Sequence, residues 1–271
     1  MKRDRTSMLY GTLILTGTSI VSQFLGFVYR ILLSRLIGAE VMGLYQLIMP
    51  VFSVIMALTA VGLTVAVSNL SSQYHARGNR AAIAQVLRRC LAVFLLLFAA
   101  VAAVVVLLYD PISVYLLGDA RTQLGIILLV PCVLLTGVEN LHKHCFYGIG
   151  LVRPPAATET AEQLIRTGAV LGLLLLLPRR SREETVGVIV AGMVVCEVFS
   201  ALALTALFRR WWRSGSRAAP REVTRWGQLL SIALPVAATS LLGTFLGSAN
   251  AVLIPAKLVE GGMEPSAAIS A

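Results

Sequence analysis

Apolar residues run along this chain in long unbroken stretches, separated by short polar or basic segments. The stretches lie near 8–34, 41–72, 86–109, 122–148, 158–178, 184–208 and 227–254. Each is long enough, at about 20 residues of helix, to cross roughly 30 Å of hydrocarbon. Lipid offers backbone amides no partners, so only helices or closed barrels span it, and these runs are too long and too continuous for barrel strands. The pattern predicts an all-α, polytopic transmembrane helix bundle of about seven spans.

Composition agrees. The chain is 57% hydrophobic and 13% charged, with a mean hydropathy of +0.82; soluble domains carry about 25% charged residues. The predicted location is therefore the cell membrane, multi-pass, with membrane lipids as surroundings. MKRDR followed by an apolar run resembles a signal peptide, but the run is longer than a usual signal core and no small-residue cleavage site follows. An uncleaved first helix is expected. Placing the N-terminus in the cytoplasm puts fifteen Lys and Arg residues on inner segments against seven on outer ones, the bias that sets orientation.

The net charge of +10 thus belongs mostly to the cytoplasmic edge, and no nucleic-acid partner is expected. Cys90, Cys132, Cys145 and Cys196 are scattered singly, which argues for packing rather than disulfides. His142, His144 and Cys145 (LHKHC) lie in a basic segment without flanking carboxylates, so no metal site is expected. No motif for nucleotide binding or catalysis occurs; the chain reads as a non-enzyme without cofactors.

The stretch RRWWRSGSRAAPREVTRW is the least apolar part and divides the chain. We expect a first six-helix lobe at 1–208, a basic cytoplasmic linker at 209–226, and the first helix of a second bundle at 227–271. A faint echo, FLG at Phe24–Gly26 and again at Phe245–Gly247, fits the internal repeats of transporters.

Charges inside apolar runs mark candidate function, since an arginine at a bilayer's centre costs roughly 2.5–3.5 kcal/mol on insertion scales. Arg30 and Arg35 fall at the outer end of the first run. They sit about 140° apart around a helix, so both cannot face one cavity; for each, snorkelling to the interface competes with a substrate-facing role. Glu162 precedes Arg166 by four residues (EQLIR), the spacing of an intrahelical pair. Glu197 lies mid-run (VVCEVFSALA), suited either to proton or ion coupling or to a structural pair with Arg166. Glu139, nearer the cytoplasmic end, reads as an interface anchor.

At these residues a family resemblance emerges. GF-x-YR at 26–30, L-x-R-x-IGAE at 33–40, GLYQL-x-x-P at 43–50 and GL-x-x-AVS-N at 62–69, with FYGIG at 146–150 and ATETAEQLIRTG at 157–168, resemble the polysaccharide-transporter branch of the MATE-like flippase superfamily, and within it a group named for sporulation. The resemblance implies two six-helix bundles facing a central cavity, which move lipid-diphosphate-linked glycans, precursors of cell wall, spore cortex or surface polysaccharide, by alternating access. It points to Arg30 in the first helix and, through EQLIR, to Glu162 and Arg166. Taken with the charges read above, Arg30, Arg35 and Arg166 are the expected substrate-binding residues, and Glu162 and Glu197 the expected ion- or proton-coupling residues. Arginine suits the task because it pairs bidentately with phosphate and stays charged when desolvated. The arginine-glycine-aromatic element usual before the fifth helix reads HKHCFYG here. The sequence also matches only the first half of a family member, so a missing C-terminal half is an expected partner. The alternatives are a cation-coupled drug exporter, or a non-transporting scaffold subunit bound to envelope-synthesis proteins.

Overall fold

The computed structural model describes residues 2–177, 181–214 and 225–260, with side chains placed for most of them. The helical stretch Lys2–Met56 is broken at Gly38 (φ 77°, ψ 170°), a conformation glycine reaches without the penalty a Cβ brings. Helix α1 therefore covers 2–37. Helix α2 begins at 39 and continues, through a π-helical turn at Ala57–Val61, to Ala76. Pro50 lies inside α2 and removes one backbone hydrogen bond from it. After a turn at Gly78, Asn79 caps α3 (Arg80–Leu107) by accepting from the Ala82 amide at 3.1 Å. Short helical turns lead to α4 (Gln123–Gly148). Then follow α5 (Arg153–Leu176), α6 (Arg182–Arg213) and α7 (Trp226–Glu260). Ser181 and Glu184 form a reciprocal capping box at the start of α6.

Each apolar run read from the sequence falls on one of these helices. Five described stretches are long and apolar enough to cross a membrane, the first being Leu13–Ala76. At 64 residues that stretch would measure roughly 96 Å as one straight helix, over twice what a bilayer needs, and the break at Gly38 divides it. Helix α5 is not among the five. Arg153, Glu159, Glu162 and Arg166 lower its hydropathy, and Glu162 is buried against protein rather than turned to lipid.

Helix α6 sits between α4 and α5 and packs along both; the 62–76 half of α2 packs on α3, α4 and α7. Two apolar clusters fill the bundle. One gathers Tyr29, Leu33, Leu44 and Ile48 with Leu129, Val170 and Ile189. The other gathers Leu63, Leu70, Ile83 and Phe94 with Phe146 and Phe208. The α2–α7 contact is close: a Cβ on Gly62 would lie 2.3 Å from the Ala233 carbonyl oxygen, so only glycine fits there. Beyond Leu229 and Ala233, α7 presents Leu234, Leu242, Phe245 and Leu246 outward. Within the expected linker, residues 215–224 lie outside the described residues, as do 261–271 of the expected second-bundle segment.

Candidate functional site

Two features stand out from the apolar packing, a cleft and, behind its inner wall, a group of buried charges. The cleft holds about 630 Å3 between α1, α2 and α7. Arg30 and Tyr29 enter it from α1, Tyr45, Gln46 and Pro50 from α2, and Thr244 from α7. No Asp or Glu is among its described lining residues. Arg30 is solvent-exposed on this wall, whereas Tyr29 is buried and its hydroxyl has no hydrogen-bond partner. Tyr45 donates to Met193 Sδ of α6 at 3.4 Å. Both tyrosines feel the charge of Arg166, which lies behind them.

The buried group draws on three helices. One turn apart on α5, Arg166 Nη2 donates to Glu162 Oε1. The same nitrogen reaches Glu197 Oε1 of α6 at 3.2 Å, and Arg166 Nε reaches Cys196 Sγ at 3.4 Å. Ser200 Oγ, one helical step beyond, donates to Glu162 Oε2 at 3.3 Å. From α4, Lys143 Nζ stands 2.9 Å from Glu139 Oε1, an ionic contact without hydrogen-bond alignment, and 4.0 Å from Glu159. Glu139 is itself within interaction range of Glu162 and Glu197. The three carboxylates are only 2%, 5% and 3% exposed for Glu139, Glu162 and Glu197. Against them stand two cations, Lys143 and Arg166, so the cluster as fully ionised carries one uncompensated negative charge. Glu197 Oε2 is buried without a partner. Unpaired charge in a dry interior is costly, and a proton or a small cation would relieve it.

Glu162, Cys196 and Glu197 place ligand atoms within 4.8 Å of one another. The guanidinium of Arg166 already bridges the two carboxylates, so a divalent metal would have to displace it. This arrangement is an ion-pair network first.

Of the residues the sequence singled out, the fold joins Glu162, Arg166 and Glu197 in one cluster and puts Arg30 on the cleft. Arg35 is exposed on α1 and lines none of the described cavities. Glu139 differs from expectation. It is buried in the cluster rather than anchored at an interface, because α4 packs along α6 and against α2 and α3, and Glu139 sits beside Lys143 and within range of Glu162 of α5 and Glu197 of α6. Its i,i+4 spacing to Lys143, the same as that of Glu162 to Arg166, was the signal that could have revealed it. His142 is likewise buried, with Nδ1 2.8 Å from the Val138 carbonyl.

Long apolar helices, five of the described stretches able to cross a bilayer, define a multi-pass membrane protein. Comparison with known proteins narrows this. The chain belongs to the polysaccharide biosynthesis protein family, whose model matches residues 8–260. It is 26% identical to stage V sporulation protein B of Bacillus subtilis (strain 168), covering 97% of this chain and 52% of that protein. Among solved structures it is similar to a MOP superfamily transporter from Pyrococcus furiosus, described as having a binding pocket of reverse polarity that suggests a different function. The TM-score is 0.58 at 17% identity, over 85% of this chain and 52% of that one. It is also similar to an inward-facing multidrug resistance MATE family transporter of the same superfamily, with a TM-score of 0.57 at 18% identity, over 86% and 52% of the two chains. The chain thus spans about half the length of the relatives it matches, and the shared fold is the MATE-like helical bundle.

Proposed function

We propose that this chain forms the first lobe of a flippase for lipid-diphosphate-linked oligosaccharide or peptidoglycan precursors, working by alternating access. One observation carries the reading: Arg30 faces a cleft whose described lining holds no acidic side chain. A diphosphate headgroup brings several negative oxygens, and a guanidinium meets two of them at once in a fixed plane. Gln46 and Ser53 of the same lining offer amide and hydroxyl partners for sugar or phosphate beside it. The cluster behind the tyrosines supplies the second half of the mechanism. Its one excess carboxylate takes up a proton or small cation, with Glu162 and Glu197 as the exchanging groups, and α5 and α6 reposition as the charge balance changes. The Tyr45–Met193 contact joins a cleft-lining residue of α2 to α6, the helix that carries Glu197, and is the route by which a shift of α6 reaches the substrate in this reading.

A cation-coupled drug exporter is the competing reading. The acid excess of the cluster would serve it equally, but a cationic cargo would meet Arg30 in the cleft and no carboxylate there. The polarity of the cleft therefore favours an anionic cargo.

The test is binding of a polyprenyl diphosphate to the reconstituted protein. Arg30→Gln is expected to weaken it at least tenfold, the usual worth of a charge-assisted contact, and to leave binding of a neutral polyprenol unchanged. Equal diphosphate affinity for both proteins would return Arg30 to a snorkelling role. Tight binding of a lipophilic cation at the same cleft would support the exporter instead.

A further inference from the structure

A second recess shares no lining residue with the cleft. Helices α3 and α6 both pack along or near α4 but make little direct contact with each other among the described residues. The space between them is a groove of about 450 Å3, floored by Val138 and His142 of α4. Its α3 wall is the stripe Leu87, Arg88, Leu91 and Leu95; its α6 wall is Thr205, Phe208, Arg209 and Trp212. The recess continues around α6 into a hollow of about 560 Å3 that Arg209 shares with Arg210 and Arg213.

The two walls are antiparallel, and that places like with like. On α3, Arg88 lies seven residues nearer the helix start than Leu95, about 10 Å along the axis. Arg209 and Arg213 lie toward the end of α6, at that same edge of the bundle. The groove therefore has a cationic mouth at the helix ends and an apolar floor and wall running deeper, where Leu95 is 47% exposed. Trp212, 38% exposed, stands at the mouth, the level indole prefers at a membrane surface. The neighbouring aromatic residues are differently engaged: Arg80 stacks over Trp211 at 4.9 Å and Arg89 over Trp226 at 5.0 Å. No carboxylate lies within ion-pair distance of Arg88, Arg209, Arg210 or Arg213 among the described residues. Among the described residues, then, these cations have no carboxylate to neutralise them.

We infer that this groove is a binding site for one anionic phospholipid of the surrounding leaflet, whose phosphate lies between Arg88 and Arg209 and whose acyl chain lies along Leu91 and Leu95. A helix from a partner protein would cover the apolar wall but would leave two guanidinium groups to be neutralised; a lipid phosphate satisfies both requirements together. Basic recesses between membrane helices near one surface have this chemistry in general. The bound lipid would tie α3 to α6, two helices that meet directly through the Arg80–Trp211 stacking but pack little against each other along the groove.

Native mass spectrometry of the detergent-purified chain, titrated with phosphatidylglycerol or phosphatidylcholine, reads the site directly. The wild type is expected to retain one phosphatidylglycerol in preference to phosphatidylcholine. The double variant Arg88→Gln, Arg209→Gln should lose about thirtyfold in affinity for phosphatidylglycerol and little for phosphatidylcholine. Leu91→Trp fills the groove while keeping both charges, and should abolish the retained lipid as well. Elution profile and helical circular dichroism check that both variants fold. For the unaltered protein, quenching of tryptophan fluorescence by phosphatidylglycerol brominated on its acyl chain should saturate at a low mole fraction in phosphatidylcholine vesicles. Retention independent of headgroup charge, or phosphatidylglycerol held equally by the double variant, would overturn the site. Full binding in Leu91→Trp would overturn the groove in favour of a diffuse basic surface, and so would quenching that rises without saturation.

Discussion

Among the described residues, arginines and carboxylates meet both in a dry setting and in a wet one. In the interior, Arg166 bridges Glu162 and Glu197, with Glu139 and Lys143 alongside. At one end of the bundle, Glu40 Oε1 receives Arg121 and Arg182, each at 2.7 Å, while Arg121 also grips Asp119 at 2.5 Å. The second group ties the break after Gly38 to the turn before α4 and to the start of α6. Its Glu40, Arg121 and Arg182 side chains are 41%, 41% and 61% exposed. The atoms are alike, but their energetics are not. Water screens the outer group, and exposed pairs contribute about 0–1 kcal/mol. The inner group has exchanged hydration for its partners, so removing one strands the others at about 3–5 kcal/mol.

The comparison is tested most severely at Arg166. Arg166→Met keeps much of the volume and removes the bridging charge, leaving Glu162 and Glu197 facing each other without a cation between them. A loss of about 3–5 kcal/mol is expected, read as a large fall in the thermal unfolding midpoint in detergent. A fall worth less than about 1 kcal/mol would mean that water reaches the cluster, and the two groups would then be alike. Glu197→Gln sharpens the point. It leaves the Arg166–Glu162 pair in place and removes the one uncompensated charge. Stability should hold or rise by about 1 kcal/mol, and any stabilisation of the wild type by added monovalent cation should disappear. A marked destabilisation would show that Glu197 serves as a structural anchor rather than an exchanging group.

How far these regions could be read from the sequence follows from what holds them together. The seven helices were legible because lipid forces long apolar runs to be helical. The Glu162–Arg166 pair was legible because i,i+4 spacing is local. Arg30 could be marked as a candidate, but not placed on a cleft, since the cleft needs Thr244 of α7 more than two hundred residues away. Glu139 was misjudged because depth along a helix says nothing about which neighbours surround it. The outer clamp was invisible for the same reason: Glu40, Arg121 and Arg182 share no local pattern, and only the packing of α6 beside the start of α4 brings them together. The π-helical turn at Ala57–Val61 has no signature in its residues either. Long-range pairing, not local propensity, carries most of the site.

Glu40→Gln probes the wet side. It removes the carboxylate charge that both Arg121 and Arg182 share, yet the expected loss is about 1 kcal/mol or less and should shrink further in molar salt. The same variant should leave the response to Arg166→Met unchanged, because the groups are separate and their effects should add. Coupling between the two substitutions would indicate that the bundle transmits strain from its end to its interior.

The smallest effect expected is a pH response confined to the outer turn. Partial burial by itself would push the Asp119 carboxyl up, but hydrogen bonds from the Arg121 side chain and backbone amide, together with its charge, hold it below its ordinary value of 3.8. A carboxyl lowered on folding contributes stability that is present in full above its unfolded value and is lost as pH falls through the lower folded value. Acidification from neutrality should therefore leave this turn unchanged until below about pH 3.8, after which the Arg121 clamp opens. Hydrogen exchange, corrected for its intrinsic pH dependence, should show protection at the Arg121 and Thr122 amides falling in that range. Asp119→Asn should remove the transition while keeping an acceptor for the Arg121 amide. A transition centred above pH 5, or one that persists in Asp119→Asn, would assign the response to another group and leave the wet cluster without the electrostatic role given to it here.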